Sequence, residues 1–214
     1  MSLRSGPLNH ENFYISFPHE RVVQVTINRP DKLNCIDKTT SREIAKIWEL
    51  FDEDESLWVA IITGVGRAFC TGADLGEWNA MNKAGVVNDM SAPGLAGLPR
   101  RTGKKPIIAA VNGICMGGGF EMVANCDLIL ASSSAIFSLP EVKRGIVPVA
   151  GQVVDSPADV VQAAVEVAEV MCKNSPDSLI VGRLGVRMSW EAGSVEDTVS
   201  DLADQWYPRL VGGP

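Results

Sequence analysis

Short apolar stretches separated by polar or glycine-rich breaks run through the first 150 residues of the chain. The segment Arg21–Asn28 alternates apolar and polar residues, which predicts a half-buried β-strand. Continuous apolar runs within Trp58–Gly64 and Lys105–Gly113 predict buried strands, and the sequences CDLILAS and AIFSLPE predict two more. The stretch VGRAFCTGAD, rich in small residues, is predicted to be a loop.

Helical periodicity appears between these strands. A helix is predicted from Thr39, because four large apolar residues recur on one face with a period of 3.6: Ile44, Ile47, Trp48 and Phe51. A short helix is predicted from Leu75, and another from Gly118 to about Asn125. The repeated order of strand, loop and helix predicts an α/β fold.

The remainder of the chain lacks this repeat. Residues 83–103 show no clean period and are predicted to be irregular. Near residue 156, a Ser or Asp N-cap precedes an apolar-periodic helix, and a second amphipathic helix begins with a capping box from Ser194 to Asp197. From Gln152 onward there are 10 acidic and 4 basic residues, so most of the net charge of −7 lies there.

Composition excludes several classes of protein. An acidic chain of 214 residues is a poor nonspecific nucleic-acid binder, and no apolar run is long enough to cross a bilayer. Five cysteines stand apart without a CxxC pair, which favours a reduced interior over disulfides or a zinc site. Without a secretory or organelle signal, we expect an intracellular, cytoplasmic protein.

Several catalytic motifs are absent from the sequence. It contains no GxGxxG, Walker, GxSxG or HExxH motif, and its two histidines, His10 and His19, both lie near the N-terminus. A Ser-His-Asp triad and a histidine-ligated metal are therefore improbable, and we expect no metal site. Acid–base chemistry must use carboxylates, Tyr, Cys, Lys or backbone dipoles.

The sequence CMGGGFE offers such dipoles. A predicted helix begins at Gly118, and its free N–H could bind a ligand oxygen that the absence of a side chain allows close. Glu121 lies one turn later, where its carboxylate could exchange a proton beside a bound carbonyl. Alternatively, Glu121 only caps the helix, and the glycines only permit close strand–helix packing.

Four collinear motifs closely resemble the crotonase superfamily, the enoyl-CoA hydratases and isomerases. They are INRPDKLN from Ile27, RAFCTGADL from Arg67, KPIIAAVNGICMGGGFEMVANCDLILAS from Lys105 and FSLPEVKRGIVPVAG from Phe137. The resemblance implies a crotonase-like ββα spiral core over residues 1–152. Residues 153–214 then correspond to a remnant of the C-terminal helical region.

The resemblance also implies an active site. The backbone N–H groups of Ala73 and Gly118 match the family's oxyanion hole, and Glu121 and Glu141 match the two glutamates of its hydratases. Water then adds across the α,β double bond of an acyl-CoA thioester, with no cofactor beyond the CoA of the substrate. Candidate substrate- and CoA-binding residues are Thr71, Gly72, Asp74, Leu75, Gly117 and, for the phosphates, Arg29 and Lys32.

One departure from the family stands out. Its members carry further helices after the PVAG turn, whereas here Gly151 and Gln152 run directly into Val153, and the C-terminus is shorter. The missing parts normally cover the acyl pocket and build the trimer contacts. The resemblance still implies a homotrimer or hexamer. It also implies a location in the cytoplasm, mitochondria or peroxisomes.

Several activities stay open within this resemblance. One oxyanion hole serves the whole family, so isomerase, carnitinyl-CoA dehydratase-type and hydrolase activities are alternatives to hydration. Because of the missing helices, an inactive paralogue that only binds acyl-CoA or a sister subunit is a further alternative.

Overall fold

The computed structural model of the chain describes residues 3–7, 9–85, 94–138, 151–154, 157, 159–177, 179, 180 and 183. Nine strands are present in these ranges: β1 Phe13–His19, β2 Val22–Ile27, β3 Val59–Gly64, β4 Ala68–Cys70, β5 Ile107–Val111, β6 Ile114–Met116, β7 Leu128–Ser132, β8 Ile136–Ser138 and β9 Gly151–Val154. The α-helices of the same ranges are α1 Lys38–Glu53, α2 Leu75–Lys83, α3 Gly118–Ala124 and α4 Asp159–Cys172. Short 3₁₀ turns occupy Leu3–Ser5, Pro30–Lys32 and Leu95–Gly97.

The strands form one large and one small sheet. The large sheet has the order β1-β2-β3-β5-β7-β9, antiparallel between β1 and β2 and parallel elsewhere. The small sheet has the order β4-β6-β8 and is parallel throughout. Successive units β3-β4-α2 and β5-β6-α3 each place one strand in each sheet and then a helix. The α/β class and the ββα spiral predicted from the sequence are confirmed.

Helix α1 buries the face that its periodicity predicts. Ile44, Ile47, Trp48 and Phe51 are all buried in the main core. The helix begins after Asp37, whose carboxylate accepts a 2.8 Å hydrogen bond from the N–H of Thr40. This N-cap satisfies one of the free donors at the helix start, so the boundary follows from local chemistry.

The prediction of a half-buried strand at β2 is wrong, because all six of its residues are buried. Val23, Val25 and Ile27 pack into the core on one face, and Val22 on the other face packs in the cluster that contains α4. Two polar residues share this second face, and Gln24 Nε2 donates to Thr26 Oγ1 at 3.0 Å. The internal hydrogen bond lets polar side chains remain in a covered face.

The strands β4 and β6 were not predicted. Each strand has three residues, which is too few to show a period. The stretch VGRAFCTGAD, which contains β4, was predicted to be a loop because it is rich in small residues. Both gain their backbone hydrogen bonds from strands distant in sequence, so the small sheet is a product of tertiary structure.

Helix α4 confirms the predicted apolar helix in the last third of the chain. The helix packs against β3, β5, β7 and β9. Its buried residues form one stripe: Val160, Ala164, Val165 and Ala168. Gly151 and Gln152, where the sequence departs from the family pattern, lie inside β9. This strand pairs with β7 from Ile129 to Ser132. The sheet is therefore continuous across the junction.

The helix predicted from Ser194 lies outside the described residues, and the division at residue 152 stays a prediction.

Arg183 ties the C-terminal part of the chain to the core. Its Nε lies 2.6 Å from Asp127 Oδ1, and its side chain is only 3% exposed. The guanidinium also donates to the carbonyl of Gly103. Asp127 in turn accepts a 2.8 Å hydrogen bond from the N–H of Ile107, at the start of β5.

We expect Arg183→Met to lower the free energy of unfolding by about 3 kcal/mol, because it leaves the carboxylate of Asp127 without its charged partner in a largely buried position. Lys46→Met is the matched control, since it breaks an exposed pair with Glu49 and should leave the free energy of unfolding almost unchanged. Urea unfolding of the three proteins measures both values. Equal small losses for the two variants would contradict the anchoring role of Arg183.

Candidate active site

Each glycine of the CMGGGFE motif meets a different steric requirement. Gly117 has φ 53° and ψ −129°, a backbone conformation that side chains disfavour. A Cβ on Gly118 would lie 2.8 Å from Leu95 Cδ2, and a Cβ on Gly119 would lie 2.2 Å from the carbonyl oxygen of Cys70. The glycines therefore let α3 begin in direct contact with β4 and with the turn that carries Leu95.

The loop after β4 reaches the same point. Gly72 has φ +93°, and a Cβ there would lie 3.0 Å from the backbone nitrogen of Gly118 and 3.5 Å from the carbonyl oxygen of Met116. The two loops that the resemblance links are thus in contact, with backbone against backbone.

A parallel bridge to Ile36 leaves the N–H of Ala73 without a partner among the residues that the structure describes. In this bridge the N–H of Ile36 donates to Gly72 O, and the N–H of Asp74 donates to Ile36 O, both at 2.9 Å. A parallel bridge of this kind uses the residues on either side of Ala73, so the N–H of Ala73 points away from Ile36. Among the described residues, it has no hydrogen-bond acceptor.

The N–H of Gly118 also lacks an acceptor within the described ranges, for a different reason. The first hydrogen bonds of α3 run from the N–H groups of Phe120 and Glu121 to the carbonyl of Gly117, at 2.9 and 3.1 Å. Gly118 precedes this turn, so its N–H belongs to the unsatisfied donors of a helix start. No acceptor for it occurs in the described part of the chain.

Helix α3 holds Glu121 outward. Met122 and Val123 are buried, and Phe120 packs edge-on against Phe137 with 5.8 Å between ring centroids. Glu121 occupies the remaining side of the first turn and is exposed. Burial of its neighbours therefore fixes where this carboxylate can lie.

The second predicted glutamate, Glu141, lies outside the described residues. The strand that precedes it does reach the site, because the N–H of Gly117 donates to Ser138 O at 3.0 Å. Ser138 ends β8, three residues before Glu141 in the sequence.

Three of the residues predicted to bind CoA, Arg29, Lys32 and Asp74, form a charged cluster beside the loop. Arg29 lies 3.0 Å from Asp74 and 3.4 Å from Asp37, and its side chain is 14% exposed. Lys32 lies 3.6 Å from Asp74 but is 61% exposed. Thr71 Oγ1 donates to the carbonyl of Leu33 at 3.2 Å.

Leu75 begins α2 and is 72% exposed, which is unusual for a large apolar side chain. It follows the oxyanion candidate Ala73 by two residues.

Leu95 is a site residue that the sequence did not predict. Ala96 beside it has φ 53° and is held by two hydrogen bonds: its N–H donates to Ser41 Oγ at 2.8 Å, and its carbonyl accepts from Trp48 Nε1 at 2.9 Å. This strained turn keeps Leu95 over Gly118. The flanking glycines at 94 and 97 are its only sequence signal.

Two cysteines and one lysine, Cys70, Cys115 and Lys105, are buried in the interior. Burial raises the pKa of Cys70 to about 12, and it also raises the pKa of Cys115. Burial lowers the pKa of Lys105, whose ammonium donates to the carbonyls of Phe51 and Asp54 at 2.7 and 2.6 Å. These groups do not supply the acid–base chemistry of the site.

Within the described ranges, no three His, Cys, Asp or Glu residues are grouped so that they could hold a metal ion. No helix in the described part of the chain has the length and apolarity to cross a membrane.

We expect Gly119→Ala to reduce both stability and ligand binding, because its Cβ would overlap the Cys70 carbonyl and force α3 away from β4. Overpacking of this kind costs about 1–3 kcal/mol. Gly6→Ala is the control, since its Cβ would lie 3.6 Å from the nearest atom. Thermal melts with and without an acyl-CoA measure the effect, and a Gly119→Ala protein that melts like Gly6→Ala would contradict it.

We expect Cys70 and Cys115 to resist alkylation by iodoacetamide at pH 8. Both thiols are buried, and a pKa of about 12 leaves Cys70 almost entirely protonated at that pH. Mass spectrometry of the native protein, compared with the same reaction in urea, measures the labelling. Labelling of native Cys70 at the rate of the unfolded chain would exclude this buried environment.

Comparison with known proteins gives a consistent result. The sequence profile of the enoyl-CoA hydratase/isomerase family matches residues 18–178. The chain is 47% identical to a mevalonyl-coenzyme A hydratase of Aspergillus fumigatus, over 93% of this chain and 87% of that protein. It is 39% identical to a carnitinyl-CoA dehydratase of Proteus mirabilis, over 86% of this chain and 70% of the relative.

A crystal structure of an enoyl-CoA hydratase from Mycobacterium tuberculosis H37Rv superposes with a TM-score of 0.79, at 27% identity over 93% of this chain and 90% of the other. The Aspergillus alignment extends over 234 positions, more than the 214 residues of this chain, so that relative has residues without a counterpart here. The sequence match and the fold agree, and the chain belongs to the enoyl-CoA hydratase/isomerase family as a hydratase-like acyl-CoA enzyme.

Proposed function

We propose that the chain adds water reversibly across the α,β double bond of an acyl-CoA thioester, using the N–H groups of Ala73 and Gly118 as an oxyanion hole. The contact of Gly72 with the Gly118 nitrogen supports this, because it brings together two loops that each contain a free donor. The thioester oxygen accepts both hydrogen bonds. They strengthen as the carbonyl becomes an enolate, and one such donor lowers a barrier by about 3–4 kcal/mol.

The proton transfers fall to Glu121 and Glu141. During hydration, one glutamate takes a proton from water while the water oxygen bonds to the β-carbon. The electron pair of the double bond moves towards the carbonyl. A proton then reaches the α-carbon as the enolate collapses. Two carboxylates can divide this work only when their environments separate their protonation states.

This chemistry needs only water and two carboxylates besides the oxyanion hole, so we propose that no separate cofactor takes part. The CoA moiety lies along the loop that begins at Thr71, with exposed Leu75 available to its adenine end. Of the two basic residues predicted for the phosphates, Lys32 has its ammonium largely in solvent.

For the acyl group, we propose mevalonyl-CoA as the first substrate to assay. The 47% identity to a mevalonyl-coenzyme A hydratase supports this choice. Mevalonyl-CoA carries a hydroxyl group on its β-carbon, which the dehydration direction of the same reaction removes. Carnitinyl-CoA also has a β-hydroxyl group, and the 39% identity to a carnitinyl-CoA dehydratase makes it the second candidate.

Replacing either glutamate with its amide removes a proton carrier while preserving shape. We expect Glu121→Gln and Glu141→Gln each to lower kcat by about 100- to 10,000-fold. Glu166→Gln, on the exposed side of α4, is the control and should leave turnover unchanged. Gain of the conjugated enoyl thioester absorbance measures dehydration of mevalonyl-CoA, and loss of the same absorbance measures hydration of an enoyl-CoA.

Undiminished turnover in either active-site variant would remove that glutamate from the mechanism. An unaltered chain that binds acyl-CoA but hydrates none of the thioesters tested would favour the inactive-paralogue alternative.

A further inference from the structure

The guanidinium of Arg29 has three partners inside the protein: Asp74, Asp37 and the carbonyl of Cys35. Its Nη2 donates to Asp74 Oδ2 at 3.0 Å, and its Nη1 donates to the carbonyl of Cys35 at 3.0 Å and lies 3.4 Å from Asp37. With its side chain 14% exposed, Arg29 has little surface left for a ligand phosphate.

Asp74, the partner of Arg29, fixes the backbone immediately after Ala73. Its Oδ1 accepts from the N–H groups of Gly76 and Glu77 at 3.0 and 3.4 Å, which caps α2. Its own N–H donates to Ile36 O in the parallel bridge. A single carboxylate therefore joins the guanidinium, the start of α2 and the loop of the oxyanion hole.

The segment that contains Arg29 is itself held against the loop. Asn34 is fully buried with φ 56°, and its Oδ1 accepts from the N–H of Arg29 at 2.9 Å. Its Nδ2 donates to the carbonyls of Val65 and Ala68 at 2.9 and 2.6 Å. A buried residue in this backbone conformation persists only where several contacts hold it. The segment therefore holds the backbone of Arg29 in one position.

From these contacts we propose that Arg29 is a positioning residue for the oxyanion donor Ala73, acting through Asp74. The guanidinium holds the carboxylate, and the carboxylate holds the backbone on the C-terminal side of Ala73. The N–H of Ala73 is thereby aimed at the thioester oxygen before substrate arrives. This inference rests on the proposed function, and it assigns Arg29 a role other than binding the CoA phosphates.

The charge state of Asp74 supports the contact between the Arg29 guanidinium and the Asp74 carboxylate, which we call the brace. Burial alone would raise the pKa of Asp74, but the N–H of Glu77, the Arg29 guanidinium and the N–H of Gly76 outweigh it and hold the pKa below its usual range. A lowered pKa in the folded state means that the carboxylate stabilises the fold above the ordinary Asp pKa of about 4. The contribution is lost only as the pH falls through the lowered value.

Steady-state kinetics distinguishes positioning from phosphate binding. We expect Arg29→Met to lower kcat by about 10- to 100-fold with little change in KM, because the misplaced donor acts mainly in the transition state. Arg29→Lys should restore part of kcat, since an ammonium can pair with Asp74 but cannot also reach Asp37 and the Cys35 carbonyl as a planar fork can. Lys46→Met, which removes an exposed cation paired with Glu49 on α1, is the control and should leave both kcat and KM unchanged.

Amide hydrogen exchange on the free protein tests the brace independently of activity. In Arg29→Lys and Arg29→Met, the amides of Asp74, Gly76 and Glu77 should exchange faster, while those of β3 and β5 keep their protection. Unchanged exchange in both variants would overturn the brace. Faster exchange with an unchanged kcat, or a higher KM at constant kcat, would overturn the positioning of Ala73.

If the unaltered chain turns over no acyl-CoA, the proposed function fails, while the exchange result still decides whether Arg29 holds the loop. If Arg29→Met does not fold, Arg29→Lys carries both readouts.

Discussion

The close approach of Gly72 to the backbone nitrogen of Gly118 is the constraint on which the rest of the site depends. Two loops far apart in sequence can offer neighbouring N–H groups only if no side chain separates them. The glycines at 117 and 119 serve the same contact, one through its backbone conformation and one by admitting the carbonyl of Cys70. The run of three glycines before Glu121 is thus explained by packing and is compatible with catalysis.

The small parallel sheet explains why these loops meet. Strands β4, β6 and β8 pair side by side in the same direction, so the segments that follow β4 and β6 leave from the same edge. The first carries Ala73, the second carries Gly118 and Glu121, and β8 precedes Glu141 in the sequence. A sheet with three-residue strands has little stability of its own, so its geometry depends on the larger sheet and α3, which contact its strands.

The sequence predicted what depends on local pattern. The apolar faces of α1 and α4 and the buried strands β3 and β5 follow from periodicity, and the glycine run indicated Gly118 and Glu121. The full burial of β2 was missed because it depends on α4, more than 130 residues later. The pairing of Arg29 with Asp74, 45 residues apart, was also missed, since a basic residue in a polar segment shows no pattern that names its partner.

The oxyanion hole can be observed directly through the substrate carbonyl. A non-hydratable acyl-CoA carrying ¹³C at the thioester carbonyl would be bound to the protein, and isotope-edited infrared difference spectroscopy would record the carbonyl stretch. Two N–H donors that polarise the oxygen predict a clear shift to lower frequency relative to free ligand in water. A bound ligand whose carbonyl stretch matches that of the free thioester would contradict the account, because the donors of Ala73 and Gly118 would then not engage the carbonyl.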